Sequence, residues 1–381
     1  MKTLERLVLK YIICIVYMLS SIIPVKKRVV FATYRTTNLS DNFKFIYKEM
    51  KSQNLDFQYK FLFKKMESGL VGKIKYLLHL IKATYYLATS SFFIIDDFYF
   101  PVYVVKLRKG TEVIQVWHAC GAFKKFGYSV LDKEYGADNN YIKHVPIHKN
   151  YSHVLVSSEE VSKYYAEAFN MSEDNIRPIG VPRIDLFFKE DLKKEAISRV
   201  YQAYPVLQGK KLILYAPTFR GATQADMHMD IPFDIDQVIS SFDDETILGL
   251  KMHPFVRNLP DLTEYNNVID MSSYPEINDI LLISDQLITD YSSIVFEYSL
   301  LERPMIFYAH DRDTYIKERD FYYEYESLVP GPIVDNTKDL IEALQMHNFD
   351  QAEIKKFKQK FFDYPDGQAT KRFVNQIILK H

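Results

Sequence analysis

The stretch of sequence that decides the fold is SDQLITDYSSIVFEYSLLERPMIFYAHD, residues Ser284–Asp311. The apolar run Leu281–Thr289, which leads into it, is typical of a buried strand. The next apolar stripe, Ile294–Leu301, has helical spacing, and Pro304 ends that helix because proline lacks an amide hydrogen. A second buried strand is predicted at Met305–Ala309. The order strand, helix, strand is typical of a parallel α/β protein.

Between the first strand and the helix lies a polar corner, Asp290-Tyr291-Ser292-Ser293. Free backbone N–H groups and the positive end of the helix dipole point at such a corner, so it suits an anion. The simpler interpretation is that Asp290 or Ser292 only caps the helix. The choice depends on which other residues reach the same place.

The composition is that of a soluble globular protein with more than one domain. The 381 residues are too many for one compact core and fit two domains of ordinary size. Apolar residues make up 48% and charged residues 25%, and a net charge of −1 gives no indication of a nucleic-acid partner. The two cysteines, Cys14 and Cys120, have neither metal nor disulfide spacing, which favours a reducing cytosol.

Residues 1–28 differ from the rest of the chain. Their uncharged apolar run, Tyr11–Ile23, is 13 residues long, shorter than the roughly 20 that span a bilayer. Basic residues flank it on both sides: Lys2, Arg6, Lys10, Lys26, Lys27 and Arg28. We therefore predict a helix that lies on the cytosolic face of the membrane, with its cations near anionic head groups. A helix of the protein core is the alternative.

From Val29 onward, short apolar runs alternate with helical patterns, as in two successive Rossmann-like domains. We predict an N-terminal domain over residues 29–188 and a C-terminal domain over 189–381. The strands predicted in the first are Val29–Thr33, Gln58–Phe63, Phe92–Asp96, Val113–Trp117, Val154–Ser157 and one that opens at Ile176. The strands predicted in the second are Lys211–Ala216, Thr246–Met252, Asn267–Asp270, Leu281–Thr289 and Met305–Ala309.

Residues suited to anions lie at three strand ends of the second half. Arg220 follows Lys211–Ala216, Lys251 and His253 lie at the end of the next strand, and the serines of the corner follow the third. Each alone is a common surface residue, but ligands of such sheets bind beyond the carboxyl ends of the strands. Their shared place favours a phosphate or diphosphate site.

The most distinctive strand end of the first half is His118, which directly follows Val113–Trp117. A turn of small residues, 119–121, comes next and leaves room for a ligand, and Lys124 and Lys125 follow it. A neutral imidazole takes a proton from an attacking hydroxyl near neutral pH, so His118 is a candidate general base. A buried core histidine beside an exposed lysine pair is the alternative.

Other candidate sites have less support. Asp96 and Asp97, at a strand end, fit capping or a solvated loop better than a metal site. Neither a P-loop nor a G-x-G-x-x-G turn is present, so the sequence does not favour a P-loop or dinucleotide-binding protein. We predict no metal ligands and no bound cofactor.

With these residues in place, the chain resembles the CDP-glycerol glycerophosphotransferase family of bacterial wall teichoic acid synthesis, from about Val29 to the C-terminus. The motifs that carry the resemblance are VIQVWHACGAFKKFG (Val113–Gly127), IGVPRID (Ile179–Asp185), LYAPTFRG (Leu214–Gly221), LKMHP (Leu250–Pro254), the stretch Ser284–Asp311 and PGPIV (Pro330–Val334). Several ordered motifs in one chain are far more specific than any one of them.

The resemblance implies a GT-B-like fold, in which two Rossmann-like domains face a cleft and the second holds the nucleotide. It implies transfer of glycerol phosphate from CDP-glycerol to a hydroxyl of an undecaprenyl-diphosphate-linked glycan, with release of CMP. The enzyme would act as a peripheral protein at the cytoplasmic face of the bacterial cell membrane, against its anionic surface. Homo-oligomer formation and stimulation by a divalent metal are left open.

The resemblance also assigns roles to residues. The two catalytic histidines of the family fall on His118, as general base, and His253, which would bind the diphosphate and stabilise charge on the CMP leaving group. The side chains that would hold the donor diphosphate are Thr218, Arg220, Ser292 and Ser293. Glu297 and Asp311 would accept hydrogen bonds from alditol or ribose hydroxyls. The residues on the acceptor side would be Lys124 and Lys125.

Two departures from the family pattern leave the substrate open. The family often has Gly-Thr-Pro after the histidine, whereas this chain has Ala119-Cys120-Gly121, as in members that resemble priming enzymes and some ribitol-phosphate transferases. The chain lacks the long N-terminal region of the large polymerases, which fits a primase-like, short-chain or capsule enzyme. The alternatives are therefore a CDP-ribitol ribitolphosphotransferase, a nucleotide-sugar glycosyltransferase of the same fold, and a non-enzymatic scaffold.

Overall fold

The computed structural model describes residues 3–131, 133, 136, 138–220, 231–252, 262–346 and 349–380. The chain divides into two compact units. The first comprises Met1–Ala119, Phe126–Asp185 and Gln368–His381, and the second comprises Cys120–Lys125 and Leu186–Gly367. The domain bounds 29–188 and 189–381 stay a prediction, as does the GT-B arrangement of two domains about a cleft.

The first unit is built on a parallel six-stranded sheet with the order β2-β1-β3-β4-β5-β6. Its strands are β1 (Lys26–Thr33), β2 (Gln58–Phe63), β3 (Ser90–Ile95), β4 (Glu112–Gln115), β5 (His153–Leu155) and β6 (Ile176–Arg177). Chain order reverses between β1 and β3, which lie side by side with Val29 next to Phe92. The apolar residues of β1 and β3 are buried, as their continuous runs of Val, Ile and Phe predict.

The second unit also has a parallel six-stranded sheet, with the order β12-β11-β10-β7-β8-β9. Its strands are β7 (Lys211–Tyr215), β8 (Thr246–Leu250), β9 (Val268–Asp270), β10 (Ser284–Thr289), β11 (Met305–Tyr308) and β12 (Ile333–Val334). Counted from β7 as the first strand, this is the doubly wound order 3-2-1-4-5-6. Chain order therefore reverses between β7 and β10, where Leu287 lies beside Leu214.

Helices connect the strands; α1–α6 and α15 belong to the first unit, and α7–α14 belong to the second. They are α1 (Thr3–Ser20), α2 (Asp41–Ser52), α3 (Gly69–Thr89), α4 (Phe100–Val104), α5 (Asn139–His144), α6 (Ser162–Phe169), α7 (Glu190–Ala203), α8 (Ile235–Ser240), α9 (Ile277–Ile283), α10 (Ile294–Ser299), α11 (Arg312–Arg319), α12 (Tyr325–Leu328), α13 (Thr337–Gln345), α14 (Gln351–Phe361) and α15 (Ala369–Phe373). A π-helical turn, Val374–Ile378, follows α15.

The stretch Ser284–Asp311 folds in the predicted order of strand, corner, helix and strand. Its first strand begins at Ser284 rather than Leu281, because the preceding apolar residues belong to α9. Helix α10 ends at Ser299, before the predicted end, and Glu302 has the left-handed φ of 52° that reverses the chain ahead of Pro304. The predicted parallel α/β architecture is confirmed in both sheets.

The segment 368–380 packs against the first sheet, which the sequence pattern did not predict. Phe373 and Ile377 lie in the same buried cluster as Val29 and Phe31 of β1. The carboxylate of Asp185, fully buried, accepts hydrogen bonds from the first two amides of α15 at 2.9 and 3.0 Å. The IGVPRID motif that ends at this residue therefore anchors the returning segment.

One face of helix α1 packs against the rest of the first unit. Ile13 and Tyr17 are buried, and the Tyr17 hydroxyl accepts a hydrogen bond of 3.0 Å from the Arg108 amide. Among the described residues, no helix combines the length and apolar character needed to cross a bilayer. The alternative prediction of a packed helix thus holds for one face of α1, and the association of this helix with a membrane stays a prediction.

Candidate functional site

Two strand ends of the second sheet meet where chain order reverses. After β7 the chain runs through residues 216–220, and after β10 it turns at the corner Asp290–Ser293. The Thr218 amide donates a hydrogen bond of 2.8 Å to Asp290 Oδ1, which joins the two strand ends. Ligands of doubly wound sheets bind at this reversal. The structure thus brings Thr218 and Arg220 to the corner that carries the two serines, and their role towards the donor stays a prediction.

Carboxylates hold the Arg220 side chain on two sides. Its Nε and Nη2 donate to the two oxygens of Asp311, at 2.6 and 3.0 Å, and Nη1 donates to Asp290 Oδ2 at 2.9 Å and to the Thr218 carbonyl at 2.5 Å. Burial alone would lower the pKa of Arg220, but the bonds to Asp311 and the charge of Asp290 raise it. A guanidinium has five N–H donors, and the described contacts of Arg220 use four of them to hold the corner together. One N–H donor is not used in these contacts.

The hydroxyls at this corner have fewer partners. Thr218 is 8% exposed, and its hydroxyl has no hydrogen-bond partner among the described residues. Ser292 Oγ accepts a long bond of 3.4 Å from the Ile294 amide, and Ser293 precedes α10 without a side-chain capping bond. Capping of α10 therefore explains little of the hydrogen bonding of these serine hydroxyls. These hydroxyls are suitable donors to a phosphate oxygen.

Two tyrosines to which the sequence assigned no role complete the corner. Tyr291 donates its hydroxyl to Asp311 Oδ1 at 3.0 Å and stacks on Tyr315, with the ring centroids 4.1 Å apart. Arg220 lies over both rings, 4.7 Å from the centroid of Tyr315 and 5.3 Å from that of Tyr291. Cation–π contacts of this kind add to the ion pairs. No local pattern indicates Tyr315, because it reaches the corner from α11.

Other candidate residues of the second unit make hydrogen bonds with neighbouring residues of the protein. Glu297 is 2% exposed and accepts a hydrogen bond of 3.2 Å from the Cys120 thiol. The ammonium group of Lys251 donates to the carbonyls of Ser272 and Tyr274, both at 2.9 Å, and burial lowers the pKa of Lys251 to about 8. Lys251 therefore ties down the residues after β9. The assignment of Glu297 to a donor hydroxyl stays a prediction.

The two lysines predicted on the acceptor side also have partners. Lys124 Nζ donates to the Tyr315 hydroxyl at 3.3 Å, and Lys125 Nζ lies 3.1 Å from Asp320 Oδ2. Their role towards the acceptor stays a prediction. The second predicted catalytic residue, His253, lies outside the described residues.

In the first unit, His118 lies just beyond β4, and its ring is tied to the end of β3. Nδ1 is 3.1 Å from the carbonyl oxygen of Asp96 and 3.5 Å from Oδ2 of Asp97. Because a carbonyl only accepts, the hydrogen is on Nδ1, and Nε2 presents its lone pair. Burial lowers the pKa of His118 to about 4, against the opposing charge of Asp97, so the ring is neutral at neutral pH. The side chain is 28% exposed, which leaves it accessible to a substrate.

A buried polar scaffold holds the turn that carries His118. Gln115, fully buried, accepts from the Trp117 amide at 3.0 Å and donates to the Asp97 carbonyl at 3.1 Å. Asn42, 1% exposed, donates to the Trp117 carbonyl at 2.9 Å. Trp117 has a left-handed φ of 49°, and its ring stacks on His118 with centroids 4.4 Å apart. The sequence pattern indicated the histidine but not these supports: Asn42 comes from a distant part of the chain, and Gln115 looks like an ordinary polar residue of the strand.

Comparisons with known proteins agree with the motifs. The family model of CDP-glycerol:poly(glycerophosphate) glycerophosphotransferases matches residues 15–379. The teichoic acid ribitol-phosphate primase of Bacillus spizizenii strain W23 is 42% identical, over 99% of this chain and 98% of that protein. The teichoic acid glycerol-phosphate primase of Bacillus subtilis strain 168 is 34% identical, over 79% of this chain and 76% of that protein.

A solved structure has the same fold over almost the whole chain. The wall teichoic acid polymerase TagF aligns with a TM-score of 0.78 and 26% identity, over 96% of this chain and 92% of that one. Both predicted strand-end sites lie within the matched residues. The chain therefore belongs to the CDP-glycerol:poly(glycerophosphate) glycerophosphotransferase family.

Proposed function

We propose that the protein transfers an alditol phosphate from a CDP-alditol to a hydroxyl of a lipid-linked acceptor in teichoic acid synthesis, with release of CMP. The observation that carries the proposal is His118, a neutral imidazole that is tied through Nδ1 and presents Nε2 at a strand end, in a chain of this family. The corner at the reversal of the second sheet supplies a place for the donor.

In the proposed reaction, His118 is the general base. The acceptor oxygen attacks the phosphorus that carries the alditol, a new P–O bond forms, and the P–O bond to CMP breaks. The proton of the acceptor passes to Nε2 of His118, while negative charge develops on the departing CMP. The donors proposed for the diphosphate are Thr218, Ser292, Ser293 and the remaining N–H of Arg220. We assign stabilisation of the CMP charge to His253.

For the alditol, we propose ribitol ahead of glycerol, which reverses the preference drawn from the sequence. The ribitol-phosphate primase matches this chain over almost its full length and at higher identity than the glycerol-phosphate primase. The turn Ala119-Cys120-Gly121 after His118 supports the same choice. Glycerol is the second candidate because the family model is that of glycerophosphotransferases. The acceptor proposed is an undecaprenyl-diphosphate-linked glycan.

Donor profiling tests this choice. We expect CMP release from CDP-ribitol at a kcat/KM at least about tenfold above that from CDP-glycerol, because a site built to hydrogen-bond extra hydroxyls loses those bonds with a shorter alditol. The measurement is CMP release by purified protein with each donor and a lipid-linked acceptor, with the product mass determined by mass spectrometry. An equal or higher kcat/KM with CDP-glycerol would make glycerol the preferred alditol. Turnover with a UDP-sugar alone would contradict both choices and identify the protein as a glycosyltransferase.

We propose that the protein works at the cytosolic face of an anionic membrane, against which α1 and α3 lie. The solvent-facing apolar residues of α1 recur at helical spacing: Val8, Tyr11, Ile15 and Met18 are each more than half exposed, as is Ile22 just after the helix. Leu70, Ile74 and Leu78 of the neighbouring helix α3 are also at least 51% exposed. Lysines and arginines beside such a surface favour anionic head groups over a protein partner.

Vesicle binding tests the membrane proposal. In the double variant Tyr11→Glu/Met18→Glu, we expect affinity for vesicles containing phosphatidylglycerol to fall at least about tenfold, because apolar contact is lost and negative charge is added. Both side chains are more than 60% exposed, so the melting temperature is expected to change little. Val206→Glu, at an exposed apolar residue of the second unit, is the matched control and should bind like the wild type. Unchanged vesicle binding in the double variant would contradict the proposal.

A further inference from the structure

We propose that Asp97 is the positioning residue of His118: its carboxylate orients the imidazole and stabilises the positive charge that the ring acquires when it takes the acceptor proton. This inference rests on the proposed function, in which His118 is the general base. It assigns a role to a residue that the sequence pattern favoured only as a cap or loop residue.

The position of Asp97 in the fold supports a functional role. It lies directly beyond β3, next to the end of β1, where chain order reverses in the first sheet. The ends of strands at such a reversal form the ligand crevice in open α/β sheets. Arg35 follows β1 at the same place, and its Nε lies 3.6 Å from Oδ2 of Asp97.

The contacts of Asp97 hold its carboxylate in one orientation. Oδ1 accepts a hydrogen bond of 2.6 Å from the Phe98 amide, and the main-chain carbonyl accepts one of 3.1 Å from Gln115. These bonds leave Oδ2 directed at Nδ1 of His118, 3.5 Å away. Only 17% of the Asp97 side chain is exposed, so solvent screens its charge poorly.

Two oxygens lie near the Nδ1 hydrogen of His118, and they differ in what they do for catalysis. The Asp96 carbonyl, at 3.1 Å, fixes the tautomer but carries no net charge. The Asp97 carboxylate adds the charge that becomes favourable only as the ring turns into imidazolium. Interactions that strengthen in this way lower the barrier, because they stabilise the transition state more than the ground state.

The other charged groups around His118 act against its protonation. Arg35 and Arg183 both lower the pKa of the imidazole, and burial lowers it further. Asp96 faces the same region, but burial raises the pKa of its carboxyl to about 7, so it carries only part of a charge near neutral pH. Asp97 is thus the nearby side chain whose charge supports proton uptake by His118.

The substitution Asp97→Asn tests the proposal, because it keeps the shape and removes the charge. We expect kcat to fall about 100-fold with the KM for the donor unchanged, since the loss falls on proton transfer. We also expect the acid limb of the pH profile of kcat/KM to move below its wild-type position, because removal of the carboxylate lowers the pKa of His118 further. Asp97→Glu should recover part of the activity. A purely structural role would lower activity without moving the acid limb.

The matched control is Glu112→Gln, which removes another carboxylate–histidine pair of the first unit. Glu112 lies at the opposite end of β4, 3.3 Å from His153, and we expect wild-type kcat. NMR titration of the His118 ring provides a readout without turnover, and an unchanged pKa in Asp97→Asn would overturn the inference. If the wild-type protein releases no CMP from any CDP-alditol, the proposed function fails, whereas wild-type turnover with an unaffected Asp97→Asn variant overturns only the role of Asp97.

Discussion

Replacing His118 by alanine is expected to lower kcat for CMP release by at least about 100-fold, because the acceptor hydroxyl loses the base that takes its proton. The ring is partly exposed and stacks on its sequence neighbour Trp117, so the melting temperature should change little. Single-turnover measurement of CMP release, with donor binding determined separately by calorimetry, checks the expectation. His144→Ala, at an exposed histidine at the end of α5, is the control and should retain wild-type activity.

The pH dependence of the wild-type enzyme follows from the same site. Because burial holds the pKa of His118 at about 4, its base form is present throughout the range from pH 8 to pH 5. Loss of activity through His118 protonation is therefore expected only as the pH falls towards 4, well below the usual titration of histidine. A His118→Ala variant with wild-type turnover would remove the general-base mechanism.

Replacing Arg220 by alanine is expected to have the second large effect, on stability and donor binding together. The substitution leaves Asp290, which is 1% exposed, as a buried carboxylate without its cation, and Asp311 loses both of its guanidinium bonds. Breaking a buried pair in this way costs about 3–5 kcal/mol. The two carboxylates would also repel a diphosphate, so the KM for the donor should rise at least about tenfold.

Urea unfolding followed by circular dichroism, alongside donor kinetics, checks this expectation. Arg220→Lys should recover little, because one ammonium group cannot bind both carboxylates in the bidentate geometry of a guanidinium. Arg312→Ala is the control, because Arg312 makes partly exposed ion pairs with Asp313 and Glu326. This substitution should lower the free energy of unfolding by under about 1 kcal/mol. If Arg220→Ala raises the KM for the donor but leaves the stability at the wild-type value, Arg220 binds the ligand and does not stabilise the corner.

The sequence predicted the strands and the order of the motifs because these depend on local patterns. Continuous apolar runs mark the buried strands, and the residues that follow them are placed by the parallel sheet itself. The position of Arg220 after β7 was enough to predict that it lies near the corner at Asp290. It did not predict that carboxylates hold Arg220, because Asp311 is 91 residues away in the chain and belongs to another strand end.

The sequence did not predict the residues that support His118 either. Gln115 and Asn42 look like ordinary polar residues of a strand and a helix, and only the fold shows that both bind the backbone of Trp117. The sequence does show an acidic residue, Asp97, directly after a buried strand, but capping explains that position as well as a functional role does. What separates the two interpretations is the distance to a histidine on the neighbouring strand end.

The return of segment 368–380 to the first sheet bears on how the protein is made. Ribosomes synthesise the strands of the first unit before residue 178, yet Phe373 and Ile377 of its core follow the whole second unit. Until they arrive, the apolar side chains around Val29 and Phe31 lack part of their cover, and Asp185 lacks the amides that it binds. The unit that carries His118 therefore completes its core only after the second unit has been synthesised.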